Sequence, residues 1–482
     1  MTILIKNVQL IDGSGKPAEK SDVLIKNERI SAIGSFPLYS ANEIIDGRGA
    51  YLSPGFIDIK NSCDRYLPIF NNAKENILNG ITTVIGGQSG FSLAPLLYGS
   101  LESIEEFSAL KKINVNWHSL KEFLSVLDKK SIYFNFGTLA GHTTIREALA
   151  GKNFRHLSEN ELRVFGFVLV RSLKDGAFGF STGFNLEQTK NTPDEELNFL
   201  ISRLENIKFI YSANVKNQKA PLSSVKELIE LAKEKRITVI INNLNPLSIN
   251  EKQYDEAIAL INKNSHEADI YFTSSPDDYI PLLIQELLPE NLAGENKNEI
   301  MNKLEDRSFK KETIKNFPRI KSENVIITGA PGHEYLAGKS LKQYSENRNL
   351  TINEALFNLM KLTNLKTSLT FKNKKTKKAV KNFSNDRCIM SSDGEENSFK
   401  KFLDLAQSGK ILSLESAIYK ITGLLSYKLG INDRGLIKRG YFADMVVFRD
   451  KEIREVILNG KRVVKDGEFQ NIPAGKALRR KY

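Results

Sequence analysis

Between residues 205 and 245 the chain changes its hydrophobic period twice. KFIYSANV is a short apolar run rich in aromatic and β-branched residues, SSVKELIELAKEKR repeats apolar residues at helical spacing, and ITVIINNL is again a short, nearly continuous apolar run. A strand that reads apolar on both faces is buried on both, which is the condition of a parallel sheet covered by helices. The alternation therefore predicts βα units, and several in succession favour a closed barrel. At 482 residues the chain has room for a β/α barrel that takes more than half its length, plus a smaller unit.

The two ends read differently. ILIKNVQLI and DVLIKNERISAIG flank the turn-rich DGSGKPAEKSD, and DMVVFRD and EVILNGKRVVKDGEF close the chain, the latter with Asn459-Gly460 as a type I′ hairpin signal. Neither end has enough strands to close a core alone. The expected architecture is thus α/β: a (β/α)8 TIM-type barrel over 54–424 and a small composite β-sandwich made from 1–53 and 425–482. The charged stretch 288–322 reads as an insertion on the barrel. The lysine run in 371–383 reads as a solvated helix face.

The 69 Lys+Arg against 57 Asp+Glu leave a net charge of +12, spread over a long chain with no nucleic-acid motif, so no nucleic-acid partner is expected. The two cysteines, Cys63 and Cys388, cannot build a disulfide framework, which suits a reducing compartment. No run of about 18 apolar residues marks a membrane span, and the N-terminus lacks the pattern of a secretory signal. A cytoplasmic protein without a membrane partner is expected; the oligomeric state stays open.

Six strings sharpen this reading: YLSPGFID (51–58), GITTVIGGQSGFSLAP (80–95), GHTTIREALAG (141–151), GAFGFSTGF (176–184), SSDG (391–394) and DRGLIKRGYFADMVVF (433–448). In this order and spacing they resemble the amidohydrolase superfamily, and within it the N-acyl-D-amino-acid deacylases (D-aminoacylases), over nearly the whole chain. The resemblance implies an active site at the carboxyl ends of the barrel strands. It also implies a zinc ligand set that this chain does not carry. Where the family has His-x-His at the end of the first strand, pointing two imidazoles to one side, the chain has Lys60 and Ser62. The family cysteine of a GNCGFS string is Ser89 here, and the histidines of strings like YATHMRNE and VQISHL are Asn214 and Asn243.

An ammonium has no lone pair and repels a cation, and serine and asparagine are poor zinc ligands beside imidazole or thiolate. Only the acidic residue of the last motif stands, as Asp393. Without a metal-bound water to activate, Asp393 is expected to serve as a hydrogen-bonding residue at a strand end. Lys60 has two readings: its ammonium sits where the metal charge would be and offsets Asp393, or it points to water through an open mouth.

Cys63 and Asp64 could act as replacement ligands or as a nucleophile with a neighbouring carboxylate, against a plain structural cysteine. His142 is expected to shape a loop at the barrel mouth, as a possible pocket residue with Cys63 and Asp64. His118, His156, His266 and His333 lack ligand spacing, Asp58 reads as structural, and Gly176, Gly179 and Gly183 read as sites of close backbone approach.

The expectation is an amidohydrolase-like chain without zinc-dependent amide hydrolysis and without a zinc cofactor, binding at most a small acyl amino acid or other carboxylate. Two alternatives stand beside it. One is an active hydrolase of carbon–nitrogen amide bonds that uses an atypical ligand set or no metal. The other is a scaffold, or a partner of an active paralogue.

Overall fold

The computed structural model describes residues 1–61, 67, 74–98, 115–151, 155–184, 189, 192–205, 207–247, 250–277, 279–288, 292, 297–372 and 377–481. Eight short parallel strands form the barrel wall: β1 (Phe56–Asp58), β2 (Ile81–Gly86), β3 (Asn135–Thr138), β4 (Gly179–Thr182), β5 (Ile210–Asn214), β6 (Thr238–Asn242), β7 (Ile270–Ser274) and β8 (Cys388–Met390). Ladders join β1 to β2 and β2 to β3. The chain just past β3, at Ala140–Gly141, pairs with β4, and parallel ladders then run from β4 to β8.

Strand side chains alternate between two apolar layers, as a closed sheet requires. Ile57, Ile85, Leu139, Phe178, Ile210, Ile240 and Ile389 fill the inside. Tyr211, Ala213, Val239 and Ile241 face the surrounding helices. Those helices form where the apolar spacing predicts: Pro221–Lys235 starts on a proline in its first turn and buries Val225, Leu228, Ile229 and Ala232 on one face. Close approach fixes Gly179, where a Cβ would lie 1.9 Å from the Ile210 carbonyl oxygen of the neighbouring strand.

A nine-stranded sheet contains strands from both chain ends, joined where Tyr51–Pro54 runs antiparallel to Met445–Arg449. Asn459 and Gly460 both take positive φ, as a type I′ turn requires, and connect Glu452–Leu458 to Lys461–Lys465. The C-terminal strands start at Met445, later than the boundary read at 425. The helix Gly423–Leu429 that intervenes packs Leu424, Leu425 and Leu429 against the apolar floor of the barrel.

Sheet and barrel are tied by a buried polar cluster. Arg434 donates to the carboxylate of Asp444 and to Asn459 Oδ1 (2.8 Å). Asp444 also accepts from Asn135 Nδ2 (2.9 Å) at the start of β3 and from the Asn459 backbone N–H (2.7 Å).

Between β7 and β8 the chain leaves the barrel to form an antiparallel sheet of Tyr279–Leu283, Ser368–Lys372 and Val325–Gly329. This lobe is longer than the stretch 288–322 singled out by charge. The helices Lys297–Glu305 and Arg307–Asn316 from that stretch bury Ile300 and Leu304 in a separate apolar cluster with Leu282, Ile327 and Leu369, so they need the strands on either side of them. The lysine run in 371–383 contributes the helix Lys377–Asn382, and residues 373–376 lie outside the described residues. Among the described residues no helix is long and apolar enough to cross a membrane.

Candidate functional site

The residues singled out at the strand ends converge on one side of the barrel. Lys60, two residues past β1, places its Nζ 2.8 Å from Asp393 Oδ1 and 2.6 Å from Asn243 Oδ1. Lys60 and Asp393 side chains each keep 15% exposure, so the pair is largely but not wholly withdrawn from water. Of the two readings of Lys60, the geometry is that of the pair with Asp393. Asn243 lies just past β6 and Asp393 just past β8, so one ammonium links three strand ends across the mouth.

Ser89, past β2, and Asn214, at the end of β5, form a second contact, Ser89 Oγ to Asn214 Oδ1 at 3.2 Å. Ser89, Asn243 and Asp393 share a backbone feature: their φ angles are 55°, 58° and 52°. Left-handed backbone outside glycine costs on the order of 1 kcal/mol and is most tolerable for Asn and Asp. Each of the three is held by a side-chain hydrogen bond to another strand end. Ser62, Cys63 and Asp64 lie outside the described residues.

Beneath these contacts lies a neutral network that sequence reading missed. Ser212 Oγ donates to Gln88 Oε1 (2.6 Å), Asn242 Nδ2 donates to Ser212 Oγ (2.8 Å) and to Gln88 Oε1 (3.2 Å), and Thr273 Oγ1 donates to Asn242 Oδ1 (3.1 Å). The available signal was the polar residue at alternate positions of otherwise apolar strands: Ser212 in IYSAN, Asn242 in TVIIN and Thr273 in IYFTS.

Asp58, at the end of β1, is fully buried and accepts from Asn61 Nδ2 (2.9 Å), from the Lys60 backbone N–H (3.1 Å) and from the Ser392 hydroxyl beyond β8. Burial pushes its carboxyl up to about 6, against the pull of those donors. Its contacts bridge the first and last strands.

His142 lies in the core. It opens the helix His142–Ala150, fully buried, with Nε2 2.8 Å from Glu196 Oε1 and its ring among Phe165, Phe180 and Phe184. Burial holds its imidazole below the ordinary histidine range. The expected mouth loop is therefore the first turn of a helix, and Nε2 of the imidazole meets the carboxylate of the Glu196–Arg146 ion pair.

Cys388, at the start of β8, is buried, and its thiol is pushed up to about 12 by that burial. In a Cys63→Ser background the thiol is expected to resist maleimide at pH 7 and to react once urea unfolds the chain. Stoichiometric labelling of the folded chain within minutes would contradict the burial.

A cavity of about 210 Å3 lies on the outer side of β5, lined among others by Phe184, Leu197, Tyr211, Leu228 and Asn214. Lys60 and Asp393 do not line it.

Zinc is held by thiolate, imidazole and carboxylate groups. The five described positions offer one carboxylate, one hydroxyl, two amides and an ammonium already bonded to that carboxylate. Among the described residues no group of three His, Cys, Asp or Glu side chains is placed to hold an ion. These donors do not fit zinc.

No protein-family model matches the chain. The chain is 24% identical to the D-aminoacylase of Alcaligenes xylosoxydans xylosoxydans over 518 residues, covering 99% of this chain and 97% of that one. Over 459 residues it is 24% identical to the N-acyl-D-aspartate deacylase of the same organism, covering 92% and 85%. Among solved structures, that of N-acyl-D-glutamate deacylase from Bordetella bronchiseptica, complexed with zinc and a phosphonate inhibitor, superposes with a TM-score of 0.80 at 20% identity, covering 99% of both chains. The likeness to D-aminoacylases read from the six strings is thus borne out along the whole chain, as is the barrel with an added domain.

Proposed function

We propose that this relative of the D-aminoacylases keeps the amidohydrolase scaffold without zinc-dependent amide hydrolysis, and that its barrel mouth binds at most a small carboxylate such as an acyl amino acid. One observation carries the reading: the Lys60 ammonium lies within 2.8 Å of Asp393, the one acidic residue common to this chain and the family motif. A divalent ion at that carboxylate would face a fixed positive charge at contact distance, a repulsion of several kcal/mol at the effective dielectric of a partly buried site. The neutral Gln88–Ser212–Asn242–Thr273 network supports the same reading, because it fills neighbouring strand ends with groups that bind metals weakly.

The test uses protein grown with zinc in the medium and purified without chelators. Metal content is read by elemental mass spectrometry, and release of D-amino acid is read from N-acetyl-D-glutamate, N-acetyl-D-aspartate and a neutral N-acetyl-D-amino acid. The expected result is well below about 0.1 zinc per chain and no release above the protein-free control, with a saturable thermal shift from the acyl amino acids if the mouth binds carboxylates. About one tightly held ion per chain, together with turnover, would overturn the proposal.

A further inference from the structure

We infer that Lys60 is a built-in cation whose ammonium serves as counter-ion and cross-strand tie at the barrel mouth, and that cutting this side chain away leaves a site for a small primary alkylammonium ion rather than for a divalent metal. The inference rests on the functional reading above, in that the mouth is taken not to be a zinc site.

Three observations carry it. The ammonium has two oxygen partners, Asp393 Oδ1 at 2.8 Å and Asn243 Oδ1 at 2.6 Å, both within charge-assisted hydrogen-bond distance. Those partners lie 183 and 333 residues away, the second being 393 minus 60, and follow different barrel strands, so no local turn brings them together. Both sit in left-handed backbone, with φ of 58° and 52°, and Asp393 Oδ1 also accepts from the Ser391 hydroxyl at 3.1 Å, a contact that does not involve lysine.

A carboxylate and an amide oxygen converging on one point suit a singly charged donor of several N–H bonds. Their single negative charge is neutralised by one positive charge and would be exceeded by two. Shortening lysine to alanine removes three methylenes and the ammonium, the outline of n-propylammonium, from a position that is 15% exposed and so open to a small solute.

The experiment is thermal unfolding of wild type, Lys60→Ala and Lys60→Ala/Asp393→Ala in n-propylammonium chloride, with sodium chloride at equal ionic strength as the baseline. Zinc and magnesium chloride are tested in parallel. The expected result is a lower Tm for Lys60→Ala and a saturable rise with n-propylammonium that recovers most of the loss, with no matching rise in wild type or the double variant. An unchanged Tm for Lys60→Ala, equal rescue of the double variant, or stabilisation by zinc in place of the amine would each overturn the inference.

Should Lys60→Ala not fold, Lys60→Met is read with and without Asp393→Asn. The counter-ion role requires the second change to restore stability lost in the first, and additive losses would overturn it. Zinc content of the unmodified chain separates the two readings: bound zinc with amine rescue intact overturns the functional proposal and leaves the counter-ion role standing.

Discussion

Replacing Arg434 by alanine is expected to destabilise the chain by about 3–5 kcal/mol, the range for removing one partner of a buried ion pair. Arg434 and Asp444 are both 4% exposed, and the guanidinium also covers the Phe442 ring at 4.0 Å. Without it, the Asp444 carboxylate keeps, among the described residues, the Asn135 amide and the Asn459 backbone N–H as donors. Asn459 also loses the bond to its side-chain oxygen, at a turn whose φ of 48° needs support. Arg434→Lys should fall between wild type and alanine, because lysine keeps the charge but cannot donate to Asp444 and Asn459 with one planar group. Urea unfolding followed by circular dichroism checks this. A loss under about 1 kcal/mol for Arg434→Ala would mean that the cluster does not join the terminal sheet to β3.

The DRG and FAD strings that carry this cluster were visible in the sequence as family strings, yet their partnership was not, because Asn135 and Asn459 come from distant segments. The same limit applies at the barrel mouth. The alternation of KFIYSANV, SSVKELIELAKEKR and ITVIINNL was enough for parallel strands and covering helices, since period and burial follow from local chemistry. Matching strings was enough to mark Lys60, Ser89, Asn214, Asn243 and Asp393 as positions to follow. Whether Lys60 meets Asp393 or water depends on where strand ends fall around a closed barrel, and residues 60 and 393 share no local signal. The extent of the 279–372 lobe was hidden for a related reason: charge marked its two polar helices, but its strands Tyr279–Leu283 and Ser368–Lys372 read like any other βα-unit strand. His142 was misplaced because a histidine in a glycine-led string suggests a loop, whereas its Glu196 partner and three phenylalanines draw it into the core.

The mouth keeps strained backbone at Ser89, Asn243 and Asp393, and of the five described positions that the resemblance marks only Asp393 carries a ligand-type side chain. Strain of this kind persists when surrounding contacts over-determine it. Here those contacts are hydrogen bonds between strand ends: Ser89 with Asn214, and Lys60 with Asn243 and Asp393. On the proposed reading the cross-links do structurally what shared ligands of a metal would do, which is to fix the distances between non-adjacent strands.

The second large effect concerns pH and Asp58. Its folded-state pKa is raised from 3.8 to about 6, chiefly by burial. Below about pH 4 the carboxyl is protonated whether the chain is folded or not, and the group has no net effect on stability. Between about pH 4 and pH 6 the folded chain holds a proton that the unfolded chain has released, so stability falls with each step upward. Above about pH 6 both states are ionised, and burying the charge costs about 3 kcal/mol, from roughly two pKa units at about 1.4 kcal/mol each. Groups such as His142, held below its ordinary range, act with the opposite slope, so the prediction concerns a difference between two proteins. Relative to Asp58→Asn, wild type is expected to lose about 3 kcal/mol of stability from pH 4 to pH 7. Asparagine cannot titrate, and it presents one oxygen to the donors from Ser392, Asn61 and Lys60. Parallel stability curves for the two proteins across that window would show that Asp58 is hydrated or paired in solution. In that case the Asp58–Ser392 contact would not be the dry seam between β1 and β8 beneath Lys60.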